Sequence, residues 1–151
     1  MKKPRTIKYE VKGILKSQGM KFSDREILKE NYSVKIHTLK IWFDDEMIKG
    51  IQAVYQMSNG KIFEGKENVV LKDSNFTLYT FQLENFDYLK AIGGAIGEKG
   101  FIEYLFFASC SGKKGECGQK KEKQKNFTLN ILNSEMPICL NGFLTTLQGK
   151  I

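Results

Sequence analysis

Three phrases of this sequence share a plan that limits what the chain can fold into. "DDEMIKGIQAVY" reaches Gly50, "LENFDYLKAIGGAIG" reaches Gly93, and "NSEMPICLNGFLTT" reaches Gly142; each sets acidic residues ahead of an apolar stretch that runs into a glycine. A glycine inside a strand packs nothing and costs backbone entropy, so it belongs where a Cβ would clash with a closely approaching backbone. The three glycines lie 43 and then 49 residues apart. A roughly threefold internal repeat of that length is what three similar sheets would leave in a sequence.

The local pattern around these phrases is that of strands. In "TIKYEVKGIL" Ile7, Tyr9 and Val11 alternate with charged residues, and "SVKIHTLKIWF" is rich in β-branched and aromatic residues. Ile51, Ala53, Tyr55 and Met57 fall on one face of the next strand, and Ser58-Asn59-Gly60 supplies a hairpin turn into "GKIFEG". "NFTLYTFQL", the nearly two-sided apolar "GFIEYLFFAS", "FTLNIL" and "PICLNGF" read as further strands. "KSQGMKFSD" reads as a glycine turn, "SDREILKEN" as a turn or strand in preference to a short helix, and "LENFDYLKAIGG" as room for one helical turn. Many short strands separated by turn signals imply an all-β sandwich, barrel or prism.

A chain of 151 residues is one domain, 1–151, and is long enough to bury a core without metal or disulfide support. No apolar run approaches the roughly 20 residues of a membrane-spanning helix, and the start "MKKPRTIKYEVKG" has basic residues but no apolar signal segment. Three cysteines, Cys110, Cys117 and Cys139, are sparse and odd in number, which predicts free thiols in a reducing, cytoplasmic compartment. The net charge of +7 is concentrated in two places. Lys2, Lys3, Arg5, Lys8, Lys12 and Lys16 stand against Glu10 alone and include a basic N-terminal arm (about 1–6), and Lys113, Lys114, Lys120, Lys121, Lys123 and Lys125 stand against Glu116 and Glu122 in a glycine- and lysine-rich loop, 112–125.

Reactive chemistry finds little footing. His37 is the single histidine and lies in an alternating strand, where it reads as a strand residue and not as a catalytic base. Cys110 and Cys117 are separated by six residues, which is not metal-ligand spacing, and a zinc site would have to recruit Cys139 and His37 from afar. Gly93, Gly94 and Gly97 lack the lysine–serine or lysine–threonine pair of a phosphate loop. Asp44 and Asp45 read as an exposed turn. No catalytic residue, metal or cofactor is therefore expected. The lysine-rich loop reads either as a solvated loop or as one drawn to an acidic surface: a sulfated glycan, an anionic lipid head group, an acidic protein tail or, ranked low for want of interleaved aromatics, nucleic acid.

In order and spacing, "GMKFSD", "IKGIQAVY", "NGKIFEG", "FQLENFDYLKAIGGAIG", "IEYLFF" and "LNGF" make the chain resemble the jacalin-related lectin family from about Lys8 to Phe143. The resemblance implies a β-prism: three antiparallel Greek-key sheets of four strands each about a pseudo-threefold axis. It also implies a non-catalytic protein that binds sugars through loops at one end of the prism. Those loops map to Leu15–Gly19, Gly97–Gly100 and Leu144–Gly149.

The last loop departs from the family. Where the family follows its glycine–phenylalanine phrase with Gly-x-x-x-Asp, this sequence reads "LTTLQGKI" after Gly142-Phe143 and has no aspartate. A hydrogen bond to a charged group contributes roughly 1.5–3 kcal/mol, so its loss costs on the order of ten- to a hundredfold in affinity. The carbohydrate set implied by the resemblance is then Gly19, Lys99, Thr145, Thr146 and Gln148, and the final sheet is expected to be short of a strand or closed differently. Two expectations follow. The first is an interaction or scaffold domain with a degenerate sugar loop, docking through its lysines on an acidic protein partner in a larger assembly. The second is an active lectin that recognises a glycan through the prism-end loops.

Overall fold

A computed structural model describes residues 19–23, 34–57, 59–69, 75–130 and 141–145, the first and last of these segments as backbone. All regular structure among them is strand: β1 (Gly19–Ser23), β2 (Val34–Phe43), β3 (Ile48–Met57), β4 (Ile62–Glu64), β5 (Asn68–Val69), β6 (Thr77–Gln82), β7 (Leu89–Ile96), β8 (Ile102–Ser109), β9 (Lys114–Gly118), β10 (Lys125–Asn130) and β11 (Asn141–Thr145). The expected N-terminal arm, the strand at 7–11 and the segment 24–33 lie outside the described residues.

The strands form three sheets, and every pairing is antiparallel. One has the order β10-β7-β8-β9 and another β4-β3-β2-β6, with β5 paired to β3. Both orders place a returning fourth strand beside the first of three consecutive ones, which is the Greek-key arrangement. The third sheet, among the described residues, is the pair β1-β11. The described sheets thus hold two, four and five strands rather than four each.

The two larger sheets share one interior. Val34, Ile36, Leu39 and Ile41 of β2, Ala53 and Tyr55 of β3, and Phe81 of β6 pack with Leu105 and Phe107 of β8 and Cys117 of β9. Phe107 is fully buried and stacks on Phe81 at 5.4 Å and on Tyr79 at 6.2 Å between ring centroids. The inward face of β2 changes parity, from 34 and 36 to 39 and 41. A register shift between Ile36 and Thr38 makes the change possible, with His37 as the extra residue. Simple alternation does not reveal that bulge.

The expected hairpin forms around Asn59-Gly60, Ser58 lying outside the described residues: Gly60 has φ +88° and its amide donates to the Met57 carbonyl, while the Lys61 amide donates to Asn59 Oδ1. Three local expectations are corrected. "GMKFS" is strand β1, not a turn; "LENFDY" is an irregular loop leading straight into β7, with no helical turn; and the lysine-rich segment contains strand β9. β9 is an edge strand with a single apolar core residue, Cys117, so periodicity has nothing to register there.

The glycine phrases also need revision. A Cβ on Gly50 would stand 2.7 Å from the backbone of Asn68 and Val69, so this glycine does admit a close strand, β5. A Cβ on Gly94 would stand 2.3 Å from the Tyr104 carbonyl oxygen, again backbone. At Gly93, however, the space is filled by the ring of Phe106, 2.0 Å from where the Cβ would be. Gly50 lies on the second strand of its key and Gly93 on the first strand of the other. The repeated phrase is therefore not a repeated position. What the two larger sheets share is their strand order.

Gly94→Ala is expected to lose about 2–3 kcal/mol, read from the urea midpoint, because the Tyr104 carbonyl cannot move without breaking the ladder. Gly93→Ala should cost less, since the half-buried Phe106 ring can swing aside, and adding Phe106→Ala should recover part of that loss. Equal losses at the two positions would contradict this account.

Candidate functional site

β1 and β11 pair with Gly19 opposite Thr145, and Gly142 opposite Phe22. Gly19 and Thr145, one residue from each of two loops expected to form a binding end, therefore stand opposite one another; residues 15–18 and 146–149, with Thr146 and Gln148, lie outside the described residues.

The third loop, Gly97–Gly100, is a tight turn between β7 and β8. The Gly97 amide donates to the Phe101 carbonyl and the Gly100 amide to the Gly97 carbonyl, with Gly100 at φ +86°. Beside it lies a cleft of about 370 Å³. Its walls are this turn, the β2–β3 turn at Glu46–Met47 and the β9–β10 loop at 121–124. Gln124 holds the last of these: its Nε2 donates to Glu103 Oε1 at 2.9 Å and to the Gln119 carbonyl at 3.0 Å, and its Oε1 accepts from the Lys121 amide at 2.8 Å. Asp44 fixes the β2–β3 turn by accepting from the amides of Glu46 and Met47 at 2.8 and 3.0 Å, with Lys49 Nζ 3.4 Å away. Burial alone would raise the Asp44 pKa, but the two amides and Lys49 outweigh it and bring it below the ordinary value.

Lys99 sits in this cleft with Lys121 and Lys123, but so do Glu46, Glu98, Glu103 and Glu122. The cleft is thus of mixed charge, not basic. The six lysines expected to act as one patch are divided by β9. Lys113 and Lys114 stand at its start, whereas Lys120, Lys121, Lys123 and Lys125 stand beyond its end. Four residue steps of strand separate the groups by about 14 Å. Lys113 is moreover engaged, donating to the Gln82 carbonyl with its ammonium 5.5 Å from the centre of the Phe81 ring. Lys120 lies 6.0 Å from the Tyr104 ring centre, and Tyr104 in turn donates to Glu116. Burial first, then Glu116, pushes the Tyr104 hydroxyl up to about 12.

The groups weighed for chemistry are scattered. His37 Nδ1 lies 2.8 Å from Thr38 Oγ1, and burial together with the Lys35 charge lowers its pKa. Cys110 is exposed and Cys117 buried, with burial raising the Cys117 thiol to about 12. Among the described residues no cluster of three His, Cys, Asp or Glu side chains could hold a metal ion, and no helix is long and apolar enough to cross a membrane.

Two Greek-key sheets beside a β1–β11 pair agree with one family. The family model described as "Jacalin-like lectin domain" matches residues 12–145. The chain belongs to the jacalin-like lectin domain family. Solved jacalin-type lectins share the all-β prism. Artocarpin, solved with Me-α-mannose, superposes at TM-score 0.65 with 16% identity, covering 83% of this chain and 80% of its own. A galactose-binding lectin from champedak, solved with Gal(β)1,3-GalNAc, gives TM-score 0.66 with 19% identity over 84% and 91%. The lectin MPA, solved with the T-antigen disaccharide, gives 0.60 with 22% identity over 76% and 83%. No curated protein is a significant sequence match.

The opposite end of this jacalin-like domain holds residues that sequence reasoning missed. In the loop between β6 and β7, Lys35 Nζ donates to the carbonyls of Glu84, Asn85 and Asp87 at 3.0, 2.7 and 2.7 Å, and lies 5.1 Å from the centre of the Tyr88 ring. Burial lowers the Lys35 pKa, opposed by the charge of Asp87. The Asp87 carboxylate, 4% exposed, accepts from the amides of Tyr88 and Ser111 at 2.9 Å each and from the Ser111 hydroxyl at 2.6 Å. The only sequence signal was an acid within an apolar phrase.

Burial by itself would raise the Asp87 pKa; hydrogen bonds from Ser109, Ser111 and Tyr88 win and bring it down to about 2. The folded value lies below the ordinary 3.8, so the stability it contributes is complete above that pH and disappears as pH falls through about 2. Urea titrations between pH 4 and 2 should show the wild type losing about 1 kcal/mol more than Asp87→Asn, after solvent screening is allowed for. Parallel pH profiles for the two proteins would refute the assignment.

Proposed function

We propose that this domain is a non-catalytic carbohydrate-binding lectin that takes its glycan at the loop ends gathered by the β1–β11 pair. The single observation that carries the reading is the ladder pairing of Gly19 with Thr145 in a jacalin-like lectin domain. It sets one residue of each of two loops that the resemblance assigns to sugar binding opposite one another, and the solved relatives hold mannose or galactose-type saccharides. Backbone groups around Gly19, with Thr145, Thr146 and Gln148, replace the missing aspartate, and Lys99 lies on the third loop.

The alternative, a scaffold docking on an acidic protein partner, has less support. Its lysines are split by β9, and those in the cleft are interleaved with glutamates. The non-catalytic reading is supported by the membership of a lectin-domain family, and among the described residues His37 bonds to its own neighbour and the Cys117 thiol is buried. An exposed free thiol at Cys110 favours a reducing, cytoplasmic compartment.

A glycan array followed by titration with methyl-α-mannoside and Gal-β1,3-GalNAc tests the reading. Saturable, sugar-competed binding is expected. Thr146→Ala or Gln148→Ala should weaken it about two- to tenfold, the effect of one neutral hydrogen bond. No glycan binding, together with an acidic-protein complex that dissolves as salt rises and as Lys120 and Lys121 are neutralised, would replace the lectin with the scaffold.

A further inference from the structure

Phe86 is 95% exposed, yet the loop that carries it is held by one ammonium and one carboxylate. Lys35 gathers three of its carbonyls and Asp87 is bonded to Ser111 and to the Tyr88 amide. An exposed aromatic on a flexible loop would be unremarked; one presented on a fixed loop is available to a partner at little ordering cost.

Five carbonyls of this tip are satisfied from within. The Gln82 carbonyl accepts from Lys113 Nζ, those of Glu84, Asn85 and Asp87 from Lys35 Nζ, and that of Tyr88 from the Cys110 amide. Backbone can leave water for an apolar phase only when its hydrogen bonds are made internally, and here most are. The near-complete exposure of Phe86 also makes the tip convex, whereas small-molecule sites are concave. Tyr88, 38% exposed, offers the amphipathic ring that suits a membrane–water boundary. Among the described residues, Lys61, Lys90, Lys113 and Lys114 are exposed at this end of the sheets, and Glu84 is the exposed acid on the loop.

We propose that this end of the domain docks on an anionic lipid bilayer, with Phe86 entering the boundary between headgroups and acyl chains while the surrounding lysines face the anionic headgroups. The surface lies at the opposite end of β7 and β8 from the Gly97–Gly100 turn. It is independent of the sugar reading, because the test below uses vesicles without glycolipid.

The full chain is sedimented with vesicles of phosphatidylcholine alone and with about 30% phosphatidylserine. Binding is expected to the second and not the first, and to fall as salt rises. Phe86→Ala should lower the partition about tenfold, and Lys61→Ala or Lys114→Ala about fivefold each. These side chains are exposed, so an unchanged melting temperature checks that the variants fold. Phe86→Trp gives a second readout: its emission should shift to the blue on adding the anionic vesicles, against the constant signal of Trp42, which is buried and the single natural tryptophan. The proposal is overturned if no vesicle binds, if both vesicles bind equally, or if Phe86→Ala partitions like the wild type. It is likewise overturned if the lysines retain an acidic protein or nucleic acid without any need for Phe86.

Discussion

The two Greek keys must bury their inner faces in the same apolar interior, and everything else in this protein follows from that demand. Leu39, Ile41, Tyr55, Phe81 and Phe107 are fully or almost fully buried where the sheets meet. Removing any one of them would leave a cavity costing about 2–5 kcal/mol. With the inner faces committed to packing, no reactive side chain can be held in the middle of the fold without displacing core. What remains for recognition is the ends of the strands, and both ends carry specific constructions.

Those constructions differ in how they are charged. At the Gly97–Gly100 end, lysines and glutamates alternate around a cleft whose walls come from three separate turns. Opposite charges at short range cancel much of the field that either would project, so this end projects little net potential. At the other end, the Lys35 ammonium is held by three carbonyl dipoles, with the charge of Asp87 beside it. That arrangement fixes a loop and, among the described residues, leaves the exposed lysines around it outside any ion pair with the loop's exposed acid, Glu84. The +7 net charge of the chain is therefore less informative than its distribution.

Much of the fold was legible in the sequence. β2, β3, β6 and β8 announce themselves by β-branched and aromatic residues in strand-length runs, and Asn59-Gly60 marks its own hairpin. What escaped did so for definable reasons. The charged edge strand β9 has almost no apolar face to detect. The bulge at His37 reverses parity without any residue type that signals it. Gly50 and Gly93 look alike in sequence because backbone crowding and an overlying Phe106 ring select the same residue. The cleft was hidden because its glutamates come from segments far apart in the chain, and the Lys35 clamp because carbonyl acceptors leave no trace in side-chain patterns.

The pairing of β1 with β11 has a consequence for how the chain reaches this fold. Ladder partners such as Gly19 and Thr145 stand only about 5 Å apart yet are separated by most of the sequence, so closing that ladder costs loop entropy before any contact rewards it. A pairing of such reach slows folding and belongs among its late steps.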